Sequence, residues 1–339
     1  MTFYLWKIGC QYNDFDAARF SYALKKLGFK EVIAQKAKII IIIACAVRQT
    51  AVDRIFGRIK NWKNKKIIVT GCVLEADKKK LAKKGVKFGD IEKIEDLIKL
   101  IAPSRADKIS SLMNEGCQAS VYVPIMVGCN NFCSYCAVPL TRGREKSRSY
   151  NNIIKDVKTL IKNGHKEIML LGQNVNSYKY GFAKLLCALN DLPGDFIISF
   201  TSNHPKDMTD EIIEVVAKLP KIKKEIHLPV QSGSNKILKA MNRPYTIEQY
   251  LKIVEKIRQV NPKIKITTDV IVGFPGETEK DFQKTVEVFK RVGFSTAYIN
   301  KYSPRAGTAA YKLGDPISWD EKKRRWKILD QIANKKLSS

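Results

Sequence analysis

The densest chemistry in the sequence is the run Gly128-Cys129-Asn130-Asn131-Phe132-Cys133-Ser134-Tyr135-Cys136. Its spacing is C-x3-C-x2-C, with no fourth cysteine close by. Thiolates hold iron–sulfur clusters, and a 4Fe-4S cluster normally takes four of them. Three leave one iron without a protein ligand, as catalytic metal sites keep a position open for substrate. Zinc is the competing reading, but it usually takes four N or S ligands from paired elements, and no histidine lies nearby in the sequence. A second trio is more dispersed. Gly9-Cys10, Ala44-Cys45 and Gly71-Cys72 each close an apolar, strand-like run. In a parallel sheet those carboxyl ends share one edge, where ligands bind. Three thiolates on that edge would hold a second cluster. Cysteine also packs well as a small hydrophobe. That is the reading of Cys187, in an apolar helical stretch, whereas Cys117 has no evident partner.

Composition sets the compartment and the class of partner. Eight cysteines in 339 residues are too few for a disulfide scaffold. Met1 to Cys10 has no basic region followed by a long apolar core, so no secretory signal is expected. The longest apolar run, Ile39 to Val47, is far short of a membrane span. A cytoplasmic chain with reduced thiols and no membrane contact is the expectation. Lys and Arg number 61 against 33 Asp and Glu, a formal net charge of +28. That balance suits a polyanion, although a Lys-, Ile- and Asn-rich composition carries the same sign for blander reasons.

The elements that must position the cysteines alternate along the chain. Phe3 to Ile8, Lys38 to Ile43 and Lys66 to Thr70 read as strands. Asp16 to Leu27, Ala51 to Trp62 and Glu75 to Lys84 read as the helices between and after them. This is a βαβ pattern and predicts a small open parallel sheet over residues 1–105. Polar residues with Pro and Gly mark a linker at 106–120. A second series occupies 121–339. Its strands are Val121 to Val127, Glu167 to Leu171, Phe196 to Phe200, Glu225 to Leu228, Ile264 to Val272 and Thr296 to Lys301. Its helices are Asn151 to Lys162, Phe182 to Leu189, Thr209 to Ala217, Ile247 to Gln259 and Glu279 to Val292, with a basic helix, Trp319 to Lys336, closing the chain. Six βα-like units predict an incomplete barrel.

With both trios in view, the chain resembles the radical S-adenosylmethionine (SAM) methylthiotransferase family over nearly its whole length. The resemblance lies in Gly9-Cys10-Gln11-Tyr12-Asn13, Cys45-Ala46-Val47-Arg48 and Gly71-Cys72. It continues through Cys129 to Cys136 with the following Val138-Pro139-Leu140-Thr141-Arg142-Gly143-Arg144, and through Leu170 to Asn176. His227 to Ser234, Asp269 to Thr278 and Tyr302-Ser303-Pro304-Arg305 are further family-like blocks. Where the family commonly has Asn-Thr-Cys, this chain reads Ile43-Ala44-Cys45. Members usually end in a small β-barrel RNA-binding domain; here the sequence reaches Ser339 where that domain would begin, and it is expected to be absent.

The resemblance implies an α/β architecture: a Rossmann-like open parallel sheet followed by a radical SAM partial (β/α)6 TIM-type barrel. It implies two 4Fe-4S clusters. One, on Cys129, Cys133 and Cys136, would pass an electron to bound SAM and generate a 5′-deoxyadenosyl radical. The other, on Cys10, Cys45 and Cys72, would present the sulfur, methylated by a second SAM. The implied reaction places a methylthio group on C2 of N6-dimethylallyladenosine at position 37 of tRNA. Related substrates are N6-threonylcarbamoyladenosine of tRNA and a ribosomal-protein aspartate. A reading of another class is a non-catalytic iron–sulfur protein that binds RNA. Gly172, Gln173, Asn174, His227, Gln231 and Gly273 sit at predicted strand ends, where they would reach SAM. Glu277 belongs to that set or caps the helix after it. Arg142, Arg144 and Arg148 are candidates for RNA backbone contact, and Lys322-Lys323-Arg324-Arg325 for phosphate or plain solvation. Expected partners are a tRNA anticodon stem-loop and an electron donor such as flavodoxin or ferredoxin. The chain itself is expected to be a monomer.

Overall fold

In the computed structural model, which describes residues 1–108 and 120–334, β1 (Thr2–Lys7) runs through Cys10 directly into α1 (Gln11–Lys26). There follow β2 (Lys30–Glu31), β3 (Ile39–Ala44), α2 (Gln49–Ile59), β4 (Lys66–Gly71), α3 (Glu75–Ala82), β5 (Lys87–Phe88) and α4 (Ile94–Ile101). The sheet order is β2-β1-β3-β4-β5, and every pairing in it is parallel. Strand β3 is central and buried on both faces, so its side chains split by alternation. Ile39, Ile41 and Ile43 pack with Phe20, Leu24 and Leu97; Ile40 and Ile42 pack with Trp6, Ile55, Ile59 and Val69. This is the open parallel sheet expected from the βαβ pattern.

Two compact units divide the chain. The first takes Met1–Val123 with Leu140–Gly143 and Arg305–Gly307; the second takes Pro124–Pro139, Arg144–Pro304 and Thr308–Ser339. The later elements, in order, are β6 (Tyr122–Pro124), β7 (Met126–Val127), α5 (Val138–Thr141), β8 (Lys146–Ser147), α6 (Tyr150–Lys162) and β9 (Glu167–Leu171). Next come α7 (Phe182–Asn190), β10 (Ile197–Phe200), α8 (Asp210–Lys218), β11 (Glu225–His227), α9 (Asn235–Ala240) and α10 (Ile247–Val260). The chain ends with β12 (Lys265–Val272), α11 (Glu279–Val292), β13 (Thr296–Lys301) and α12 (Trp319–Ala333). Strands β6, β9 and β10 form one sheet and β11, β12 and β13 another, and a bridge from Ile198 to Ile222 links them. The pairs β9–β10, β11–β12 and β12–β13 are parallel. Six principal strands in chain order make an incomplete barrel wall, as the sequence implied.

The differences from the sequence reading have local causes. Helix α1 starts at Gln11, not near Asp16, because the polar residues of its first turn are turned inward. Tyr12, Asn13 and Asp16 are all buried. The strand expected over Val121 to Val127 breaks after Pro124, whose ring supplies no ladder donor. Past the break, β7 pairs antiparallel with β8, which the sequence reading lacked. Helix α4 was also missed; its Ile94, Leu97, Ile98 and Ile101 cover one face of the first sheet. Cys117, most of the expected linker and the last residues of the expected closing helix lie outside the described residues.

Candidate cysteine-based active site

In the first unit, Cys10, Cys45 and Cys72 follow β1, β3 and β4, which are neighbours in the sheet. Two ladder-like bonds draw these ends together: Ile8 N–H donates to Ile43 O at 2.9 Å, and Cys72 N–H to Ala44 O at 3.0 Å. Asn13 supports the edge from α1, its Nδ2 donating to Ile8 O at 2.6 Å and Ala44 O at 2.9 Å. Gly9 has φ of +130°, and a Cβ there would stand 2.8 Å from Cys45 Cβ and 3.3 Å from its Sγ. Only glycine lets the two segments approach so closely. Cys10 is solvent-exposed as a residue and Cys45 is buried. Desolvation raises both thiols, Cys45 to about 11, and Cys72 adds repulsion to each. Two thiols that resist ionisation with a third beside them are a donor set completed by a cation.

Arg142, counted in this unit, reaches the same edge. Its Nε lies 3.2 Å from Cys72 Sγ, and Nη2 donates to Asp16 Oδ2 at 2.5 Å. The guanidinium also faces the Tyr12 ring at 4.7 Å. Arg305 is likewise buried in the first unit, pairing with Asp77 at 2.9 Å.

In the second unit, Cys129, Cys133 and Cys136 lie in the loop after β7. The loop is fixed through Ser134. Its N–H donates to Met241 O at 2.9 Å, its hydroxyl to Ala240 O at 2.8 Å, and its carbonyl accepts Ala310 N–H at 2.7 Å. Phe132 has φ of +47°, and Asn242 Nδ2 donates to its carbonyl at 2.9 Å. Burial lifts the Cys129 thiol, and it lifts Cys136, with repulsion from Cys133, to about 12. Arg243, a buried residue, directs Nη1 at Cys133 Sγ across 3.5 Å and at the Tyr135 hydroxyl across 3.4 Å. Its remaining donors meet the Tyr245 hydroxyl at 2.6 Å and Pro229 O at 3.0 Å.

The carboxyl ends of the barrel strands carry polar side chains with unused capacity. Asn174 Oδ1 after β9, Asn203 Oδ1 and His204 Nε2 after β10, and Gln231 Oε1 after β11 are buried with no hydrogen-bond partner. Buried polar atoms of this kind are normally paired. Four unpaired ones on one strand edge describe a site for a polar ligand. Gln231 also holds a left-handed backbone, φ +63°. Of the other sequence candidates, Gln173 accepts the Gly128 N–H at 2.6 Å and so braces the cysteine loop. Gly172 lies against Met126. His227 has both ring nitrogens engaged, with Thr267 and Asp269, each at 2.9 Å. Glu277 accepts the Gly273 N–H, and the cap of α11 is Thr278.

The basic candidates are largely committed elsewhere. Arg142 is buried on Asp16, Arg148 pairs with Asp156, and Arg144 stacks on Phe132 at 4.2 Å. Lys322 and Arg325 are core residues. Among the described residues no helix is long and apolar enough to cross a membrane.

The radical SAM superfamily pattern matches residues 123–289, and that of uncharacterized protein family UPF0004 matches residues 2–89. The chain is 43% identical over 360 residues to the tRNA-2-methylthio-N(6)-dimethylallyladenosine synthase of Thermoanaerobacter pseudethanolicus, covering 96% of this chain and 76% of that protein. The chain belongs to the radical SAM methylthiotransferase family. The methylthiotransferase of the same name from Clostridium tetani is 40% identical, with 98% and 81% covered. In fold, this methylthiotransferase is similar to the radical SAM methyltransferase TsrM of Kitasatospora setae, with a TM-score of 0.65 at 12% identity over 91% of this chain and 77% of that one. It is also similar to the cobalamin-dependent SAM radical enzyme OxsB, with a TM-score of 0.59 at 12% identity over 97% and 56%.

Sequence reading of this methylthiotransferase missed Asn203, His204 and Arg243 as site residues, and took Arg142 for an RNA backbone contact where the fold sets it on Cys72. The first two follow a predicted strand and fall under the same strand-end rule that selected Asn174. The arginines carry no local signal, because long-range folding alone brings them to a sulfur.

Proposed function

We propose that this chain methylthiolates tRNA, at C2 of N6-dimethylallyladenosine in position 37 of the anticodon stem-loop. We further propose that it works in the cytoplasm as a monomer, supplied with electrons by a flavodoxin- or ferredoxin-type donor. The observation that carries the reading is the presence of two cysteine trios, one at the carboxyl edge of the first unit's parallel sheet and the other in the loop after β7, in a chain 43% identical to a synthase of that name. Residues 1–105 carry the auxiliary site, 106–120 the linker and 121–339 the SAM site.

The residues present fit the implied groups. Cys10, Cys45 and Cys72 would hold one 4Fe-4S cluster, and Cys129, Cys133 and Cys136 the other. No three Cys, His, Asp or Glu side chains among the described residues close on a single-ion site. A cluster does not ask for that, since it takes each thiolate on a different iron. Buried thiols raised by desolvation, with a guanidinium beside each trio, suit an iron-bound thiolate. When bound, the clusters and SAM supply one-electron reduction and the sulfur that is transferred.

The chain's own side chains do the rest. Asn174, Asn203 and Gln231 offer acceptors for the hydroxyl, amino and adenine N–H groups of SAM, and His204, whose Nδ1 accepts the Lys206 N–H, offers an Nε2–H donor. His204 is held neutral, its pKa depressed to about 2 by burial and by Arg243 and Lys206, so it does not repel a sulfonium. Ser134 and Asn242 keep the cysteine loop in place, and Gln173 fixes its first residue. A target base must leave the stack, which an anticodon-loop adenosine can do. Nucleoside mass spectrometry of tRNA from a deletion strain complemented with this chain tests the reading. Methylthiolated dimethylallyladenosine should return with the chain and stay absent with the Cys129→Ala variant. A modified threonylcarbamoyladenosine in its place would move the assignment to that substrate.

A further inference from the structure

Arg142 is nearly inaccessible, its side chain 3% exposed, and its donors are individually assigned. Nη2 meets Asp16 Oδ2 at 2.5 Å and Asn13 Oδ1 at 3.2 Å, and Nη1 meets Glu92 Oε1 at 2.9 Å. Tyr12 supports the plane from one side. The fork is thereby locked, and Nε is aimed at Cys72 Sγ at 3.2 Å. Binding Asp16 alone would not require that aim, because Arg19 also approaches Asp16 at 3.8 Å. Hydrogen bonds to cluster sulfurs and the nearby charge set an iron–sulfur reduction potential. A charge-assisted donor is roughly twice as strong as a neutral one. It favours the more negative, reduced state of the cluster.

We propose that Arg142 is a positioning residue that holds up the reduction potential of the auxiliary cluster through its hydrogen bond to Cys72. This rests on the reading of Cys10, Cys45 and Cys72 as that cluster's ligands. Asp16 and Glu92 serve as the frame that keeps the guanidinium in plane. Arg142 is thus withdrawn from RNA and acts on sulfur.

The test uses the full chain, reconstituted anaerobically, in a background where Cys129, Cys133 and Cys136 are replaced by Ala so that one cluster remains. Its midpoint is followed by redox titration with electron paramagnetic resonance. Arg142→Met combined with Asp16→Asn keeps the local net charge but removes the donor. The reduction equilibrium should fall at least about tenfold, a downward shift of about 59 mV for one electron. Arg142→Lys, which retains a cationic donor on a flexible stem, should give a smaller shift. Iron content near four with an unshifted midpoint in both variants would overturn this proposal alone. An iron-free parent would overturn the cluster assignment itself. Loss of iron in both variants with a native circular dichroism spectrum would make Arg142 a clamp and not a tuner, and would also overturn it.

Discussion

Arg325 Nη1 donates to Glu277 Oε2 at 2.6 Å, and the same oxygen accepts the Gly273 N–H at 2.6 Å. One buried ion pair therefore fastens α12 to the loop that follows β12, a strand of the barrel wall. Burial raises the Glu277 carboxyl, while Gly273 and Arg325 act against that rise. Removing only the cation strands a buried charge, which costs about 3–5 kcal/mol. Arg325→Met should destabilise the fold by that order in urea titration. Adding Glu277→Gln should recover part of the loss. Equal stability of Arg325→Met and wild type would show that the pair contributes nothing.

The cysteine trios predict iron stoichiometry. The wild-type chain should approach eight irons and eight sulfides, the content of two 4Fe-4S clusters. Replacing Cys10, Cys45 and Cys72 together by Ala should halve both. Cys133→Ala should end reductive cleavage of SAM. Cys187→Ala should leave it intact, since Cys187 sits in α7, away in sequence from both trios. Full iron retention in the triple variant would show that the first trio holds no cluster.

His204 predicts an acid liability. Its folded pKa is depressed to about 2, far under the unfolded value near 6.5. Between those values the unfolded chain binds a proton that the folded chain refuses. The stability held at neutral pH is therefore lost as pH falls below about 6.5, by up to about 1.4 kcal/mol per unit. Arg243 and Lys206 face the ring and oppose its protonation. From pH 7 to pH 5 the wild-type chain should lose about 2 kcal/mol more than His204→Gln. Parallel stability curves for the two proteins would remove His204 from the account.

RNA binding should be salt-sensitive. A net charge of +28 favours phosphate contacts, and each neutralised phosphate releases condensed counterion. Affinity for an anticodon stem-loop should fall at least about tenfold between roughly 50 and 200 mM salt in filter binding. Prenylated and plain adenosine should bind alike yet differ in turnover, because phosphates carry little sequence information. Tight binding that persists at high salt would point to base-specific contacts instead.

Both cysteine trios and the strands that end in them were legible because local sequence sets them. A β-branched run such as Ile39–Ile43 has one plausible fate, and a cysteine at its end is placed with it. The span of α11 was legible too, although its cap is Thr278 with Asp281 and not Glu277. What escaped was charge in unusual places. Lys322 and Arg325 sit in a basic run that reads as solvated helix surface. In the fold the Lys322 stem lies under Gly273, and its ammonium meets Tyr302 O at 3.1 Å and the Asp315 carboxylate. Arg142 and Arg243 likewise lie far in sequence from Cys72 and Cys133. No window of neighbouring residues contains those pairs, so only the closed fold reveals them. Helix α4 also escaped, although Ile94, Leu97, Ile98 and Ile101 carry the spacing of one helix face.

Strand β3 carries a burden that precedes the finished fold. Its five isoleucines have no polar face, no proline and no charge, the character of a segment that zips onto copies of itself. During synthesis it emerges before α2 and β4, which later cover and pair with it. Through that interval its protection is electrostatic. Lys36 and Lys38 precede it and Arg48 follows, all exposed in the folded chain and none needed by either core. Like charges at both ends of an apolar stretch act as gatekeepers against intermolecular pairing. The three residues thus guard solubility in the nascent chain, and their neutralisation should be felt in yield from the cell before it is felt at either cysteine trio.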